Sequence, residues 1–341
     1  MCGINGIVDF DSSKNFSKEI LQMNGEMVHR GPDAEGTFIK EGIAFGHRRL
    51  SIIDIDEKSN QPMTSADGRY TIIFNGEIYN YLELKKQLKD YPFSTNSDTE
   101  VVLALFKTWG PGGIRSMNGM FAFSIWDEEE KALFMYRDRL GIKPLYYFMD
   151  KGSIIFSSSV KSILSSQLVD RKLNKNALID YFRFQTVHGT STLVEGIQSL
   201  EPGHGIKMTI DQFQKKSYWS LIDDYRVTNG SKEEVQSIVK DKLTESVKKR
   251  MVADVPLGAF LSGGIDSSII VGLMAENSAK KIDTFSVSFE ENEFSEAKYA
   301  KIIADKYDTN HHEIVLKVDD FKKQIPEALT FMDHPSADGL N

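Results

Sequence analysis

Runs of apolar residues separated by turn residues dominate the first part of the chain and predict short β-strands. Residues 70–75 are apolar and β-branched and end at Asn75-Gly76, a pair typical of the turn that follows a strand. Residues 121–126 and 132–137 have a similar character and flank a charged tip, which predicts a β-hairpin. These patterns favour paired strands in the N-terminal part of the chain.

Helical patterns interrupt the predicted strands at residues 80–89 and 99–107. Strand pairs with a few helices between them are typical of a layered α+β sandwich, which we predict for residues 1–190. The following segment, 191–230, contains Pro202 and several glycines, and we predict that it is a loose connection between two domains.

The hydrophobic pattern changes after residue 230, where helices and strands begin to alternate. Ser231 and Glu234 have the spacing of a capping box, and apolar residues follow at every fourth position, which predicts a helix with one apolar face. The segments beyond it predict βαβ units and an α/β parallel sheet within residues 231–341. The predicted strands are 257–261, 284–289 and 312–316, and the predicted helices are 267 onward, 295–307 and 319–331.

Three predicted strands are few for a parallel sheet whose two faces are both covered by helices. We therefore expect residues 231–341 to be the N-terminal part of a larger domain, with a complete small domain as the alternative. The first interpretation implies that these residues carry part of the chemistry of that domain and not all of it.

The composition of the 341 residues is that of a globular protein, with 40% hydrophobic and 26% charged residues. A net charge of -8 argues against nonspecific binding to nucleic acid, because such binding depends on Lys and Arg neutralising phosphates. No apolar run approaches the roughly 18 residues of a membrane span, and no secretory signal pattern opens the chain. We therefore expect a cytoplasmic protein without a nucleic-acid or membrane partner.

The single cysteine, Cys2, follows the initiator methionine directly. One cysteine permits no intramolecular disulfide, and removal of Met1 would leave a thiol and a free α-amine on the same residue. Since an α-amine has a pKa near ~8, it can take the proton of the thiol and activate the sulfur for attack. The alternative is that Cys2 is an ordinary small buried residue.

Short motifs at ordered positions favour the nucleophile. Met1-Cys2-Gly3-Ile4 is followed by His29-Arg30-Gly31-Pro32-Asp33, Arg49-Leu50-Ser51-Ile52-Ile53-Asp54, Asn75-Gly76-Glu77-Ile78-Tyr79-Asn80 and Ser97-Asp98-Thr99-Glu100. Together these motifs resemble the class II glutamine amidotransferases, whose nucleophile is the N-terminal residue. The resemblance covers residues 1–190 and implies an N-terminal-nucleophile hydrolase fold.

The resemblance also implies a role for each residue that matches a motif. Cys2 would attack the side-chain amide of glutamine, and the Asn75 side chain and the Gly76 N–H would form the oxyanion hole. Arg49 would bind the α-carboxylate of glutamine as a planar fork, and Asp98 would pair with its α-ammonium group. The other residues of the implied glutamine site are Leu50, Ser51, Ile52, Ile53 and Glu77.

A second motif lies between a predicted strand and a predicted helix. Its glycines allow the backbone to approach an anion, and the free N–H groups at a helix start can bind that anion. The motif lacks the lysine of a Walker loop and does not match GxGxxG. It resembles the PP-loop of ATP pyrophosphatases, which bind the β- and γ-phosphates of ATP. Its sequence is Leu261-Ser262-Gly263-Gly264-Ile265-Asp266-Ser267-Ser268.

This second resemblance implies an ATP site with Mg²⁺ held by Asp266, because Mg²⁺ prefers one or two carboxylates together with phosphate oxygens. Leu261 and Val287, at the ends of adjacent predicted strands, would contact the adenosine, with core packing as the alternative. A glycine turn without any ligand is the plainer interpretation of the whole segment. The residues implied to bind phosphate are Ser262, Gly263, Gly264, Ser267 and Ser268.

Together the two halves resemble the glutamine-hydrolysing asparagine synthetases. This resemblance implies that ammonia from Cys2 passes to the second domain, where ATP activates a carboxylate, which in that family is aspartate. Residues 333–341 differ from the Ala-Asp-Pro-Ser pattern expected there, so a carboxylate on a sugar or another metabolite in surface-polymer synthesis is an alternative acceptor. A non-catalytic glutamine sensor is a further alternative, which the intact Cys2 disfavours. The oligomeric state stays open, with a homodimer as one option.

Overall fold

A computed structural model of the chain describes residues 1–11, 13–289 and 296–333, without the side chain of Phe321. The described residues divide into two compact units, the first made of Met1–Tyr225 with Asp333 and the second of Arg226–Met332. Within these described ranges, no helix combines the length and the apolar character needed to cross a bilayer. The segment 333–341, which differs from the Ala-Asp-Pro-Ser pattern, lies outside the described residues except for Asp333.

The first unit consists of paired strands with helices between them. Its described strands are β1 (Gly3–Asp9), β2 (Ala34–Lys40), β3 (Ile43–Arg49), β4 (Met63–Thr64), β5 (Tyr70–Ile78), β6 (Gly119–Asp127), β7 (Ala132–Arg137), β8 (Tyr146–Asp150), β9 (Ser153–Ser157), β10 (Gln198–Ser199), β11 (His204–Met208) and β12 (Phe213–Ser217). Its described α-helices are α1 (Ser17–Gly25), α2 (Tyr81–Gln87), α3 (Asp98–Trp109), α4 (Val160–Ser165), α5 (Lys175–Phe184) and α6 (Leu221–Asp224).

These strands form two antiparallel sheets within the described part of the unit. One has the order β10-β8-β9-β1-β3-β2 and the other the order β12-β11-β7-β6-β5-β4. Their facing sides share one apolar core, to which Phe45 and Phe156 contribute from the first sheet and Ile73 and Trp126 from the second. Helices α1 and α4 pack on the outer side of the first sheet, and α2 and α3 pack on the outer side of the second. The predicted layered α+β sandwich is therefore confirmed.

Strand β5 shows how the sequence pattern produces these layers. Successive side chains of a strand point to opposite faces of the sheet. Ile73 therefore lies in the core between the sheets, whereas Ile72 and Phe74 pack in the outer core with Val101 of α3. Because both faces are buried, β5 has a continuous apolar sequence and not an alternating one.

Strand β5 runs through Asn75 and Gly76 as far as Ile78, so the predicted turn at this pair was wrong. Gly76 lies opposite Phe121 of β6 in the sheet. A Cβ atom at Gly76 would lie 2.3 Å from the carbonyl oxygen of Met120, so a side chain here would force the backbone of β6 to move. Glycine is required here by the close approach of a neighbouring strand and not by a turn.

The predicted loose connection over residues 191–230 is corrected by the structure. Strand β10 pairs with β8, β11 pairs with β7, and β12 pairs with β11, so this segment completes both sheets. Its glycines mark close contacts as well as turns, since a Cβ atom at Gly205 would lie 2.3 Å from the ring of Tyr136. The first compact unit consequently extends to Tyr225 and not to residue 190.

The second unit alternates helices and strands, as predicted. Its described elements are α7 (Lys232–Arg250), β13 (Gly258–Phe260), α8 (Ile265–Asn277), β14 (Asp283–Phe289), α9 (Ala297–Lys306), β15 (Asn310–Leu316) and α10 (Val318–Phe331). The strands form a parallel sheet in the order β13-β14-β15, which confirms the predicted α/β class. Helix α8 begins at Ile265 and not at Ser267, because Gly264 is its N-cap.

The predicted capping box opens helix α7. The N–H of Glu234 donates to Ser231 Oγ at 3.2 Å, and the N–H of Ser231 donates to Glu234 Oε2 at 2.8 Å. Of the predicted apolar face, Val247 is buried, whereas Val239 and Leu243 are exposed. Local sequence thus determines where this helix starts, while its apolar side is only partly covered by the described residues.

Candidate active site

Strand ends and loops of the first unit enclose a cavity of about 280 Å³ beside Cys2. Cys2 immediately precedes β1, Arg49 ends β3, and Asp98 begins α3, so three separate elements carry charged or nucleophilic groups to one place. Ser51 lies outside the lining, and its backbone N–H donates to Asp33 Oδ2 at 2.8 Å. The predicted residues that line the cavity are Cys2, Arg49, Leu50, Ile52, Ile53, Asn75, Gly76, Glu77 and Asp98.

The Cys2 thiol lies against the backbone of Leu50, whose N–H donates to Sγ at 3.4 Å. The Cys2 carbonyl accepts a hydrogen bond from Arg30 Nε at 3.2 Å, which fixes the start of the chain. Burial raises the pKa of the Cys2 thiol above its usual value. The thiol is therefore protonated at rest, and a base has to remove its proton before the sulfur can attack.

The α-amine beside this thiol is the nearest candidate for that base. While Met1 is present, the amine belongs to Met1, and burial lowers its pKa from the ordinary value. The positive charges of Arg30 and Lys143 act in the same direction. A lowered pKa increases the fraction of the amine that is neutral near pH 7, and the neutral form is the one that can accept a proton.

The Asn75 side chain is buried and fixed in orientation. Its Nδ2 donates to Ser158 Oγ at 3.4 Å, and the same hydroxyl accepts the N–H of Ile4 at 3.1 Å. Ser158 thus connects the amide of Asn75 to β1, the strand that Cys2 precedes. Asn75 and Cys2 line the same cavity, and a preorganised amide donor in such a cavity can stabilise an oxyanion.

The Arg49 guanidinium is buried and contacts the loop that forms one wall of the cavity. Its Nη1 donates to the carbonyl of Asp56 at 3.0 Å and to Asn60 Oδ1 at 2.7 Å. Its Nη2 donates to the carbonyl of Ile53 at 3.3 Å and also to that of Asp54. The terminal N–H groups therefore organise residues 53–60, a contact that the sequence did not predict, and binding of a carboxylate by Arg49 stays a prediction.

Asp98 carries the opposite charge on another wall of the cavity. It is buried at the first turn of α3, and its Oδ2 accepts the N–H of Ile78 at 3.0 Å. Burial raises the pKa of Asp98 to about 6, although backbone hydrogen bonds favour its charged form. At neutral pH the carboxylate is ionised in a cavity where an ammonium group would compensate it.

Sequence reasoning missed several polar residues of the cavity wall, among them Lys143 and Gln61. Lys143 is 5% exposed, and its backbone N–H donates to Asp138 Oδ2 at 2.9 Å. Gln61 is 6% exposed and contacts β5 and α3 through its amide. Neither residue belongs to a local pattern that would distinguish it from an ordinary loop residue. The lining residues outside the prediction are Met1, Ser59, Gln61, Phe74, Ser97, Thr99, Met120 and Lys143.

In the second unit, the glycine-rich segment 261–268 connects β13 to α8. Gly263 has a φ of 85°, and a Cβ atom there would lie 2.6 Å from the backbone N of Ala300. Ser262 Oγ lies 3.1 Å from Ser267 Oγ, and Ser268 Oγ donates to the Gly264 carbonyl at 2.7 Å. This tight turn leads directly into the first turn of α8, whose N–H groups can bind an anion.

The other residues predicted for this second site differ in exposure. The Leu261 side chain is buried in a core with Val271 and Ala300, so core packing describes that side chain. Val287 is 51% exposed on β14. Asp266 is exposed in the first turn of α8, and within the described residues no cluster of three or more acidic, His or Cys side chains is arranged to hold a metal.

The layered sandwich and the cavity beside Cys2 define a class II glutamine amidotransferase domain of the N-terminal-nucleophile type. Residues 1–219 match the family model of the glutamine amidotransferase domain, and residues 238–340 match that of asparagine synthase. The chain belongs to the family of glutamine-hydrolysing asparagine synthetases.

Curated relatives support this membership across nearly the whole chain. The putative asparagine synthetase [glutamine-hydrolyzing] 2 of Methanocaldococcus jannaschii is 39% identical over 99% of this chain and 69% of that protein. The asparagine synthetase [glutamine-hydrolyzing] 1 of Bacillus subtilis is 39% identical over 99% of this chain and 54% of that protein. The chain thus spans between 54% and 69% of the length of these two relatives.

A solved structure described as the allosteric regulatory enzyme of purine biosynthesis is similar in fold. The TM-score is 0.50 at 14% sequence identity, over 92% of this chain and 80% of that chain. At this identity the likeness concerns the fold alone.

Proposed function

We propose that the first unit hydrolyses glutamine to glutamate and ammonia at Cys2. The observation that carries this proposal is the convergence of Cys2, Asn75 and Asp98 on one cavity. After removal of Met1, the α-amine of Cys2 takes the proton of the thiol, and the sulfur attacks the amide carbon of the glutamine side chain. The oxyanion that forms accepts hydrogen bonds from the Asn75 side chain and the Gly76 N–H.

The amine then returns its proton to the amide nitrogen as the carbon–nitrogen bond breaks, and ammonia leaves. Cys2 now holds the glutamyl group as a thioester. The amine next takes a proton from water, whose oxygen attacks the thioester carbonyl through a second oxyanion in the same hole. Release of glutamate restores the thiol, and the overall reaction consumes one water molecule.

The orientation of the substrate follows from the buried charges of the cavity. We propose that Asp98 pairs with the α-ammonium of glutamine and that Arg49 contacts its α-carboxylate, since both side chains line the cavity. A pair of opposite charges on the wall suits a zwitterion and disfavours an amide that lacks either group. Leu50, Ile52 and Ile53 provide the adjacent apolar and backbone surface.

For the second unit we propose binding of ATP phosphates at segment 261–268. Support comes from the positive φ and crowded position of Gly263 and from the start of helix α8 directly after the turn. Asp266 is the candidate ligand for Mg²⁺, because an exposed carboxylate beside phosphate oxygens suits that ion. ATP bound there would supply activation of a carboxylate, with pyrophosphate as the leaving group.

We propose aspartate as the carboxylate that receives the ammonia, because the curated relatives are named asparagine synthetases. The alternative acceptor, a carboxylate on a sugar or another metabolite, depends on residues 333–341, of which 334–341 lie outside the described residues. Exchange of labelled pyrophosphate into ATP, tested with aspartate and with sugar acids, distinguishes the two.

Release of ammonia and glutamate from glutamine tests the first proposal. The protein is prepared with a cleavable tag placed directly before Cys2, so that cleavage exposes the α-amine. We expect equal amounts of both products from the cleaved protein and none from the uncleaved protein or from Cys2→Ala. Undiminished turnover by Cys2→Ala would exclude Cys2 as the nucleophile, and glutamine binding without turnover by the cleaved wild type would favour a sensor.

A further inference from the structure

One edge of strand β5 is open beside the cavity. Strand β4 lies opposite Thr71 and Ile72, and among the described residues no strand pairs with the later residues of β5 on that side. The N–H of Tyr79 donates to the carbonyl of Asn118 at 2.8 Å. The N–H and C=O groups of the odd-numbered residues of β5 therefore point toward β6. Because peptide groups of a strand alternate in direction, residues 74, 76 and 78 face the open edge.

Side chains take the place of the missing strand at two of these positions. The N–H of Phe74 donates to Gln61 Oε1 at 2.6 Å, and the N–H of Ile78 donates to Asp98 Oδ2 at 3.0 Å. Between them, the Gly76 N–H faces the same open edge by this alternation, no side-chain acceptor is found for it among the described residues, and Gly76 lines the cavity. The Gly76 N–H, which is the donor proposed for the oxyanion hole, thus lies between two N–H groups that are bound by side chains.

Gln61 is held firmly enough to fix its end of this edge. Its Nε2 donates to Thr99 Oγ1 at 3.1 Å, so the amide bridges β5 to the first turn of α3. The carbonyl of Phe74 meets His47 Nε2 at 3.1 Å, and burial lowers the pKa of His47 to about 3. The His47 ring is therefore neutral. Side chains thus fix both the N–H and the carbonyl of Phe74.

We propose that Gln61 is a positioning residue of the glutaminase site, which holds β5 through Phe74 so that the Gly76 N–H points at the reacting carbonyl oxygen. This inference rests on the proposed glutaminase function. Loss of an oxyanion donor costs about 10²–10³-fold in kcat, and a donor that is loosened but retained costs less. We therefore expect about a tenfold loss in kcat when Gln61 can no longer accept from Phe74.

The test compares Gln61→Met with Ser65→Ala. Methionine keeps the length of the side chain and removes its amide. Ser65 Oγ accepts the N–H of Tyr70 at 3.0 Å, so Ser65→Ala removes a side-chain cap from the same edge of β5 far from Gly76. For both variants we measure the turnover of glutamine and the binding of two ligands, glutamate and glutamate γ-semialdehyde. The Cys2 thiol adds to the aldehyde carbonyl, and the carbonyl oxygen then becomes an oxyanion like the one formed in the reaction.

In Gln61→Met we expect about a tenfold lower kcat with an unchanged KM, and about tenfold weaker binding of the aldehyde with unchanged binding of glutamate. Ser65→Ala should match the wild type in all four quantities. Thr99→Val removes only the hydroxyl that accepts from Gln61 Nε2. It should lower kcat and weaken aldehyde binding in the same way, but by a smaller factor. This milder variant decides the matter if Gln61→Met does not fold.

Wild-type kcat and aldehyde binding in Gln61→Met would overturn the inference, and so would equal losses for aldehyde and glutamate or an equal loss in Ser65→Ala. A wild-type protein that releases no ammonia would instead overturn the proposed function. The two failures are therefore distinguishable in one set of measurements.

Discussion

Asp98 Oδ2 accepts the hydrogen bond of the Ile78 N–H at 3.0 Å, so one carboxylate both closes the edge of β5 and lines the cavity beside Cys2. The two tasks depend on different properties of the group. Closing the edge needs an acceptor oxygen, whereas binding an ammonium group needs a negative charge. A substitution that keeps the oxygen and removes the charge therefore separates them.

Asp98→Asn should raise the KM for glutamine about tenfold or more and leave kcat within about threefold, because the amide oxygen still accepts from Ile78 while the charge is lost. Steady-state kinetics of ammonia release measures both constants. Asp98→Ala is the comparison, and it should lower kcat as well because the edge of β5 loses its cap. An unchanged KM in Asp98→Asn would contradict the proposed contact with the ammonium group.

Glutamine binding should weaken as the pH falls through about 6, since burial raises the pKa of Asp98 to about 6. The raised pKa means that the carboxyl becomes neutral in mildly acidic solution, where it can no longer pair with an ammonium group. Calorimetry with the Cys2→Ala protein isolates binding from turnover, and the Kd should rise about tenfold per pH unit below that value. The same dependence in Cys2→Ala/Asp98→Asn would assign the titration to another group.

Asn75→Ala should lower kcat about 10²-fold with little change in KM, because the amide acts on the charge that develops in the transition state. Ser158→Ala is a graded comparison, since it removes the hydroxyl that accepts from Asn75 Nδ2 and leaves the donor in place. Its loss in kcat should be smaller than that of Asn75→Ala. A raised KM with normal kcat in Asn75→Ala would place the amide in ground-state binding.

Gly76→Ala should destabilise the first unit by about 1–3 kcal/mol, because the added Cβ would lie 2.3 Å from the Met120 carbonyl oxygen and β6 would have to move. Thermal unfolding measures the effect as a lower Tm. Gly112→Ala is the matched control, since its Cβ would meet no atom within 4 Å. Equal Tm values for the two variants would show that β5 and β6 can separate without cost.

Local sequence was sufficient where neighbours in the chain decide the structure. The capping box of Ser231 and Glu234 and the hairpin of β6 and β7 depend on residues a few positions apart, and both are confirmed. The Asn75-Gly76 pair has the local signature of a turn, but the distant Met120 carbonyl decides its conformation. A sequence pattern carries no information about that approach.

The candidate site shows the same division between local and distant causes. Motifs predicted the residues that would touch glutamine, because each has a recognisable neighbourhood in the chain. Gln61 was missed because its partners, Phe74 and Thr99, lie 13 and 38 positions away and give the loop no pattern of its own. Residues that support a site through long-range hydrogen bonds are therefore the ones that sequence reasoning overlooks.

The hydrogen bonds of Arg49 make the cavity wall an internal competitor of the substrate. The peptide oxygens of Ile53, Asp54 and Asp56 and the Asn60 side chain occupy the terminal N–H groups of this guanidinium. A carboxylate that binds there as a two-pronged partner has to displace at least one of them. Loading of glutamine and loosening of this loop then form a single linked equilibrium, in which a stiffer loop weakens binding and a bound ligand speeds amide exchange at 53–60.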